Sequence, residues 1–252
     1  MNEVDFFYFR NVDGSCNSLS CSGDHIVSVG SNGQMFLLNG KRQAPLKSLT
    51  EADSGSMSSV LFLKQDQVAT GNTRGQVKIW DLRSTEDGPA KTCHLAMDLV
   101  GVTYLSQHPT QPHVVVGGAS NGVLGFWDLR GTQLYPVSVV KAHSAAVNEV
   151  HFHSHQPDHM FSCDSSGEVW HWNGSNANRI GPSYFSQASN AANNQNSTNC
   201  IWLNSEMVKT RVSTKAMMTK QPLPINSMSV AGSSVLFSTD SEAIFIVPDI
   251  GI

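Results

Sequence analysis

Three histidines alternate in "HFHSH", His151, His153 and His155, with His143 and His159 close by. Alternate residues of an extended strand share a face, so three imidazoles could line one side and in principle bind zinc. Neighbours on such a face lie about 6–7 Å apart, too far to share one metal without a kink. Val150 and Phe152 take the opposite face, as in an ordinary packed strand, and His155 stands two residues before Pro157 in a turn signal. The pattern favours structural histidines over a metal centre. Asp158, Asp164, Asp240 and Glu242 fall at turns and strand ends, where turn chemistry accounts for them. There is no G-x-S-x-G elbow, no phosphate loop ending in Gly-Lys-Ser/Thr, and no G-x-G-x-x-G opening a helix. The expectation is a protein that is not an enzyme, with no catalytic residue, no metal and no cofactor.

The totals agree. The 252 residues carry a net charge of -4, with 14% charged residues and only 16 Lys and Arg, none in a run. A free-standing electrostatic nucleic-acid binder would show a basic excess, so direct nucleic-acid binding is not expected. No apolar stretch reaches the roughly 18 residues of a membrane helix, so no membrane insertion is expected. The N-terminus, "MNEVDFFYFR", has Glu3 and Asp5 where a secretory signal has basic residues. Cys16, Cys21, Cys93, Cys163 and Cys200 are scattered, without a C-x-x-C, and read as small hydrophobes or free thiols of an intracellular protein.

The elements that must position these residues are announced by repetition. "GQVKIWDLR" (75–83) returns as "GVLGFWDLR" (122–130), and looser copies lie at 25–39, 159–175 and 235–249. Each copy is an apolar run, a polar or Gly-rich turn and a second apolar run, which predicts a β-hairpin. The equivalent positions are Leu38, Trp80, Trp127, Trp172 and Ile246, spaced 42, 47, 45 and 74 residues apart. Three of the four spacings fit the period of a four-stranded propeller blade. Further strands are predicted at 59–63, 101–109, 147–157 and 225–232, with an outer strand in "YPVSVVKAH" (135–143). The long spacing comes from the Asn/Ser/Gln-rich stretch 174–200, read as a surface loop inserted in a blade, after which "CIWLN" (200–204) and 208–217 resume strand-like character.

The unit resembles the WD repeat, whose tell-tale dipeptide stands at Trp80-Asp81 and Trp127-Asp128. The resemblance implies an all-β, WD40-type β-propeller. It also implies a buried tetrad of His, Ser/Thr, Trp and Asp. His143, Ser162 and Trp172 match three of its places, and the Asp place is read near Ser165 and Ser166, where there is no Asp. A complete tetrad is therefore not expected, and blade stability should rest more on apolar packing. About five repeats are expected in one domain, 1–252, near 16–51, 52–97, 98–143, 144–217 and 218–252.

A narrower likeness covers roughly residues 20–250 and is most specific in "VVKAHSAAVNEVHFHSHQPDHMFSCDSSGEVWHWN" (139–173). There the chain resembles the forty-three-kilodalton WD-repeat nucleoporin family of the pore's Y-shaped outer-ring complex. That family is longer and seven-bladed. The expectation is part of a seven-bladed propeller, N-terminally incomplete as a fragment, splice product or incomplete gene model, with "VDFFYF" (4–9) a candidate for the outer strand missing after the last repeat. The resemblance implies a scaffold nucleoporin bound to other nucleoporins of the Y-shaped complex. It also implies roles in pore assembly, mRNA export and protein transport, nuclear-envelope location and kinetochore association in mitosis. "WDLR" supports an alternative, since a Trp-Asp-x-Arg box resembles that of substrate receptors of cullin-type ubiquitin ligases. Arg83 and Arg130 would then contact the adaptor, Arg being well suited to interface hot spots. A generic WD-repeat adaptor is the third reading.

Overall fold

The computed structural model describes residues 14–42, 44–64, 66–96, 99–177 and 200–252. Among them are five antiparallel sheets, each taking its strands in chain order. Blade 1 is β1 (Cys16–Ser22), β2 (His25–Gly30), β3 (Met35–Asn39) and β4 (Lys47–Leu49). Blade 2 is β5 (Met57–Lys64), β6 (Gln67–Asn72), β7 (Gln76–Asp81) and β8 (Lys91–His94). Blade 3 is β9 (Val102–Gln107), β10 (Val114–Ala119), β11 (Val123–Asp128) and β12 (Ser138–Lys141). Blade 4 is β13 (Val147–Phe152), β14 (His159–Asp164), β15 (Val169–Asn173) and β16 (Ser213–Ala216). Blade 5 has three strands, β17 (Ile225–Ala231), β18 (Ser234–Thr239) and β19 (Ile244–Val247). The architecture is that of a β-propeller.

One glycine in each of blades 1 to 4 explains how successive blades meet. Gly33, Gly75, Gly122 and Gly167 close the turn between second and third strands with φ of 77°, 78°, 84° and 88°. The chain entering the next blade crosses directly over them, so a Cβ would come 2.0 Å from Asp53 O at Gly33 and 2.1 Å from Gln221 O at Gly167. Only glycine satisfies both the left-handed backbone and the close approach. Each of the four carbonyls accepts a backbone N–H from that crossing chain: Asp53, Leu95, His143 and Gln221.

The innermost strands stack in sequence, β1 on β5, β5 on β9, β9 on β13 and β13 on β17. The apolar core is accordingly divided by seam. Val27, Val29, Met57, Val60 and Trp80 fill the first, and Ala69, Leu95, Leu105, Val115 and Trp127 the second. Val114, Phe126, Val150 and Trp172 belong to the third, and Phe161, Ile225, Met228 and Phe237 to the fourth. Blade 5 has no comparable packing on blade 1 among the described residues.

Two sequence expectations change. In blade 5 the place of the tryptophans belongs to Val247, which pairs with Val235 as Trp172 pairs with Met160. Ile246 points the other way and is 62% exposed. The error is a one-residue slip, which in a strand reverses the face. Residues 200–211 are not strand. Ile201–Leu203 is a 3-10 turn and Ser205–Arg211 a short helix, α1, capped by Asn204, whose side chain accepts the Glu206 and Met207 N–H groups. Trp202 is fully buried, stacked on Phe126 at 5.7 Å and edge-on to Phe152 at 5.8 Å, with its indole N–H on Pro157 O. The end of the insertion is thus pinned across blades 3 and 4. Residues 178–199 and the segment 4–9 lie outside the described residues.

Candidate functional site

The turn glycines align the blades and show what stands at each tetrad place. In blade 4, Ser162 Oγ accepts the Trp172 indole N–H at 2.8 Å and lies 2.7 Å from His143 Nε2. His143 Nδ1 lies 3.2 Å from Asp164 Oδ2, aimed too obliquely for good hydrogen-bond geometry. All four residues of the tetrad are therefore present and side by side, contrary to expectation. Its acid is Asp164, at the end of β14 and one residue before Ser165. Asp164 Oδ1 also accepts the N–H groups of Ser166 and Glu168, so the same carboxylate shapes the turn. Burial pushes the Asp164 carboxyl up, but His143, the Glu168 N–H and the Ser166 hydroxyl outweigh it and hold it at about 2.

Blade 2 keeps the indole-to-hydroxyl bond and builds the rest from other groups. Trp80 donates to Thr70 Oγ1 at 2.9 Å. Asp53 takes the place of His143 and accepts from Asn72 Nδ2 at 2.8 Å and Lys78 Nζ at 2.9 Å. In blade 3 the four places hold Leu95, Gly117, Ala119 and Trp127. With Gly117 where a hydroxyl would stand, the Trp127 Nε1 is buried without a partner. The indole instead lies against the glycine, where a Cβ would come 2.9 Å from Cζ3. Asp128 stands at the exit of β11 as Asp81 does at that of β7.

The histidines of "HFHSH" do not converge. His151 Nε2 lies 3.0 Å from Glu149 Oε2, while His153 Nε2 bonds Gly232 O across the last seam at 2.9 Å. His159 and His171 form a buried pair that alternation could not reveal, because they sit on neighbouring strands. Their rings stack, and Nδ1 of one lies 2.8 Å from Nε2 of the other. Burial and then the facing His159 push His171 down to about 4, and burial lowers His159 as well. His143, Asp164 and Glu168 come close enough to hold a metal. Each is already engaged, since Glu168 faces Lys220 at 3.5 Å and the Trp170 indole at 3.3 Å. The cluster fits a structural network better than a metal centre.

The arginines of the two "WDLR" boxes occupy the rim. Arg83 grips Asp81 through Nε and Nη2 at 3.2 and 3.1 Å, and Arg130 grips Asp128 at 3.0 and 2.6 Å. Hydrogen bonds from its own arginine hold each aspartate below the usual carboxylate range. The arginine side chains remain 68% and 45% exposed, so the pairs close the turn on the solvent-facing rim.

The sequence pattern of the family described as "Nucleolar protein 10-like, N-terminal domain" matches residues 14–242. The chain belongs to this β-propeller family. The match runs from just before β1 to Glu242, the residue at φ 58° that stands in the turn place of the four glycines. Among curated proteins the chain is similar to Nucleoporin Nup43 of Homo sapiens, 34% identical over 243 residues, and of Mus musculus, 35% identical. Both matches cover 92% of this chain and 63% of the relative, so the chain spans less than two thirds of their length. Nuclear pore complex protein nup43 of Dictyostelium discoideum is 29% identical over 163 residues, covering 63% of this chain and 38% of that protein. A chain in the crystal structure of the mitotic checkpoint complex superposes with a TM-score of 0.68 over 92% of this chain and 63% of its own. At 14% identity this likeness speaks to the fold alone.

Proposed function

We propose that the chain acts as a non-catalytic scaffold of the nuclear pore. The observation that carries this reading is the likeness to human and mouse Nucleoporin Nup43 along 92% of the chain. The site chemistry is compatible with it, because among the described residues the buried polar groups of blades 2 and 4 hydrogen-bond within their blades. A rigid array of sheets offers rims and faces to other proteins, with Arg83 and Arg130 as the proposed rim contacts. In this reading the partners are nucleoporins of the Y-shaped outer-ring complex, and the chain forms part of a seven-bladed propeller. The scaffold supports pore assembly, mRNA export and protein transport at the nuclear envelope and joins the kinetochore in mitosis.

The test is affinity purification of the tagged chain from native cells, in interphase and in mitosis, followed by mass spectrometry. Outer-ring nucleoporins should be recovered in near-stoichiometric amounts from both. Recovery of cullin-ligase adaptors without nucleoporins would overturn the assignment.

A further inference from the structure

The first two clefts between blades are strapped on their outer side by the loop that precedes the next outer strand. At the first cleft, Lys47 of β4 donates to Ser84 O at 2.9 Å and to Glu86 O at 3.3 Å. At the second, Lys91 of β8 donates to Gly131 O and the His94 N–H to Leu134 O, both at 2.6 Å. The register makes Ser138 of β12 the counterpart of those lysines, since it pairs with Phe126 as Lys47 pairs with Leu37 and Lys91 with Ile79. Its Oγ is buried without a partner. In blade 4 the loop before the outer strand is the long insertion, and the part of it that packs on β12 is α1.

The third cleft keeps an open recess of about 370 Å³, within the range of about 300–1,000 Å³ typical of ligand pockets. One wall is Val140 of β12 with Ala142 just after it, and the other is Trp170 and Thr214 of blade 4. The insertion adds Val208 from α1 and Val212 from the residue that follows it. The two charged residues of the lining are both lysines, Lys141 and Lys209, and both are exposed. Lys141 donates to Asn121 O, a neutral partner that leaves its charge uncompensated. Glu168 accepts the Trp170 indole N–H at 3.3 Å but faces Lys220, at 3.5 Å. A recess lined by cations alone stands out in a chain of net charge -4.

We propose that this recess docks an acidic, extended segment of a partner protein. A large apolar side chain of that segment lies between Val140, Trp170 and Val208, and carboxylates on either side of it meet Lys141 and Lys209. Burial of the apolar side chain anchors the segment, while the lysines select acidic flanks and speed the encounter. The insertion lacks the chemistry to answer these lysines, because residues 174–200 include Arg179 and no Asp or Glu. The proposal goes beyond the scaffold reading and stands on the recess alone, whichever assembly the chain joins.

The probe is a set of synthetic octapeptides with a central Phe or Leu between acidic, neutral or basic flanks, titrated against the full chain by fluorescence anisotropy. Acid-flanked peptides should bind about tenfold or more tightly than neutral ones and lose that advantage in high salt. They should also slow amide exchange in Ser138–Lys141 and Ser205–Arg211. Lys141→Glu with Lys209→Glu should weaken them by about tenfold or more and leave the urea midpoint in place, since both side chains are exposed. Trp170→Ala should weaken acid-flanked and neutral peptides by the same factor, because it removes a wall and not a charge. No measurable binding, equal affinity for acidic and basic flanks, binding that survives the charge reversal, or protection confined to other strands overturns the inference. So does acid-flanked binding that appears only once residues 182–198 are replaced by a short Gly/Ser linker, which would make the insertion the occupant. Self-association of the chain through β12 and α1 in light scattering would make a second copy the occupant and overturn it equally. None of these outcomes depends on which proteins co-purify from cells, so the docking site and the scaffold assignment can fail separately.

Discussion

Replacing Ser162 with alanine should be among the most damaging single changes in the chain, although it removes one oxygen. Ser162 Oγ is the shared partner of Trp172 Nε1 and His143 Nε2, and all three residues are buried. Each buried donor or acceptor left without a partner costs about 1–3 kcal/mol. With two groups orphaned, the expected loss is about 3 kcal/mol, or roughly 6–12 °C in the melting midpoint of a chain this size. The assay is urea unfolding at pH 7, followed by tryptophan fluorescence and circular dichroism, whose coincidence checks two-state behaviour. A double-mutant cycle with Trp172→Phe isolates the shared bond, with a coupling of about 1–2 kcal/mol expected. Blade 3 is the internal control, because Trp127 Nε1 already lacks a partner. Trp127→Phe should cost ring volume only and show no coupling to position 162. A Ser162→Ala loss under about 0.5 kcal/mol, or additivity with Trp172→Phe, would refute the reasoning that the tetrad holds blade 4.

The other predictions are smaller or simpler. The Asp164 carboxyl sits at about 2 in the folded chain, so its contribution is present above the unfolded carboxylate range and disappears as pH falls through about 2. Wild type should lose about 2 kcal/mol more than Asp164→Asn between pH 4 and pH 2, read from urea midpoints across that window. Glu242 holds φ 58°, so Glu242→Gly should stabilise the last hairpin by about 1 kcal/mol, measured as a raised midpoint and slower exchange in β18 and β19. Trp202→Ala should cost about 3–5 kcal/mol and release α1 to exchange, since the side chain anchors the insertion across two blades. Arg83→Ala with Arg130→Ala should leave the urea midpoint in place while reducing recovery of bound partners, because both pairs are on the exposed rim.

How much of this was legible depends on whether the signal was local. The first four hairpins are legible because each repeats an apolar run, a turn glycine and a second apolar run, and those glycines are required by both φ and the crossing chain. The identity of the tetrad acid was missed by one residue, because Asp164 serves two purposes and its turn-forming purpose reads first. The insertion was misread for a different reason. "CIWLN" is apolar and β-like by composition, but its burial comes from Phe126 and Phe152, which are distant in the chain. The His159 and His171 pair is likewise a cross-strand contact, invisible to any spacing within one strand.

The side-chain hydrogen bonds between adjacent blades were the least legible feature of all. The motif the eye finds, Trp-Asp, is not what the seams have in common. Among the described blades the four tetrad residues come together only in blade 4, blade 2 keeps the indole-to-hydroxyl bond and sets Asp53 against Asn72 and Lys78, and blade 3 leaves its indole unpaired. Yet all four seams carry a donor on the second residue of the innermost strand, supplied by Asn17, Ser58, Thr103 and Asn148. Asn, Ser and Thr are interchangeable there because the only requirement is one N–H or O–H reaching a fixed carbonyl. A requirement met by three residue types leaves almost no mark in a single sequence. The tetrad stiffens individual blades, whereas the seam donors set one blade against the next. Thr103→Val keeps the shape of the side chain and removes only the hydroxyl. It should therefore loosen the third seam, with faster exchange in β9 and β13, and leave exchange across β14 and β15 unchanged. Equal loosening of β14 and β15 would mean that blades and seams are not separable, and that the repeat motif governs both.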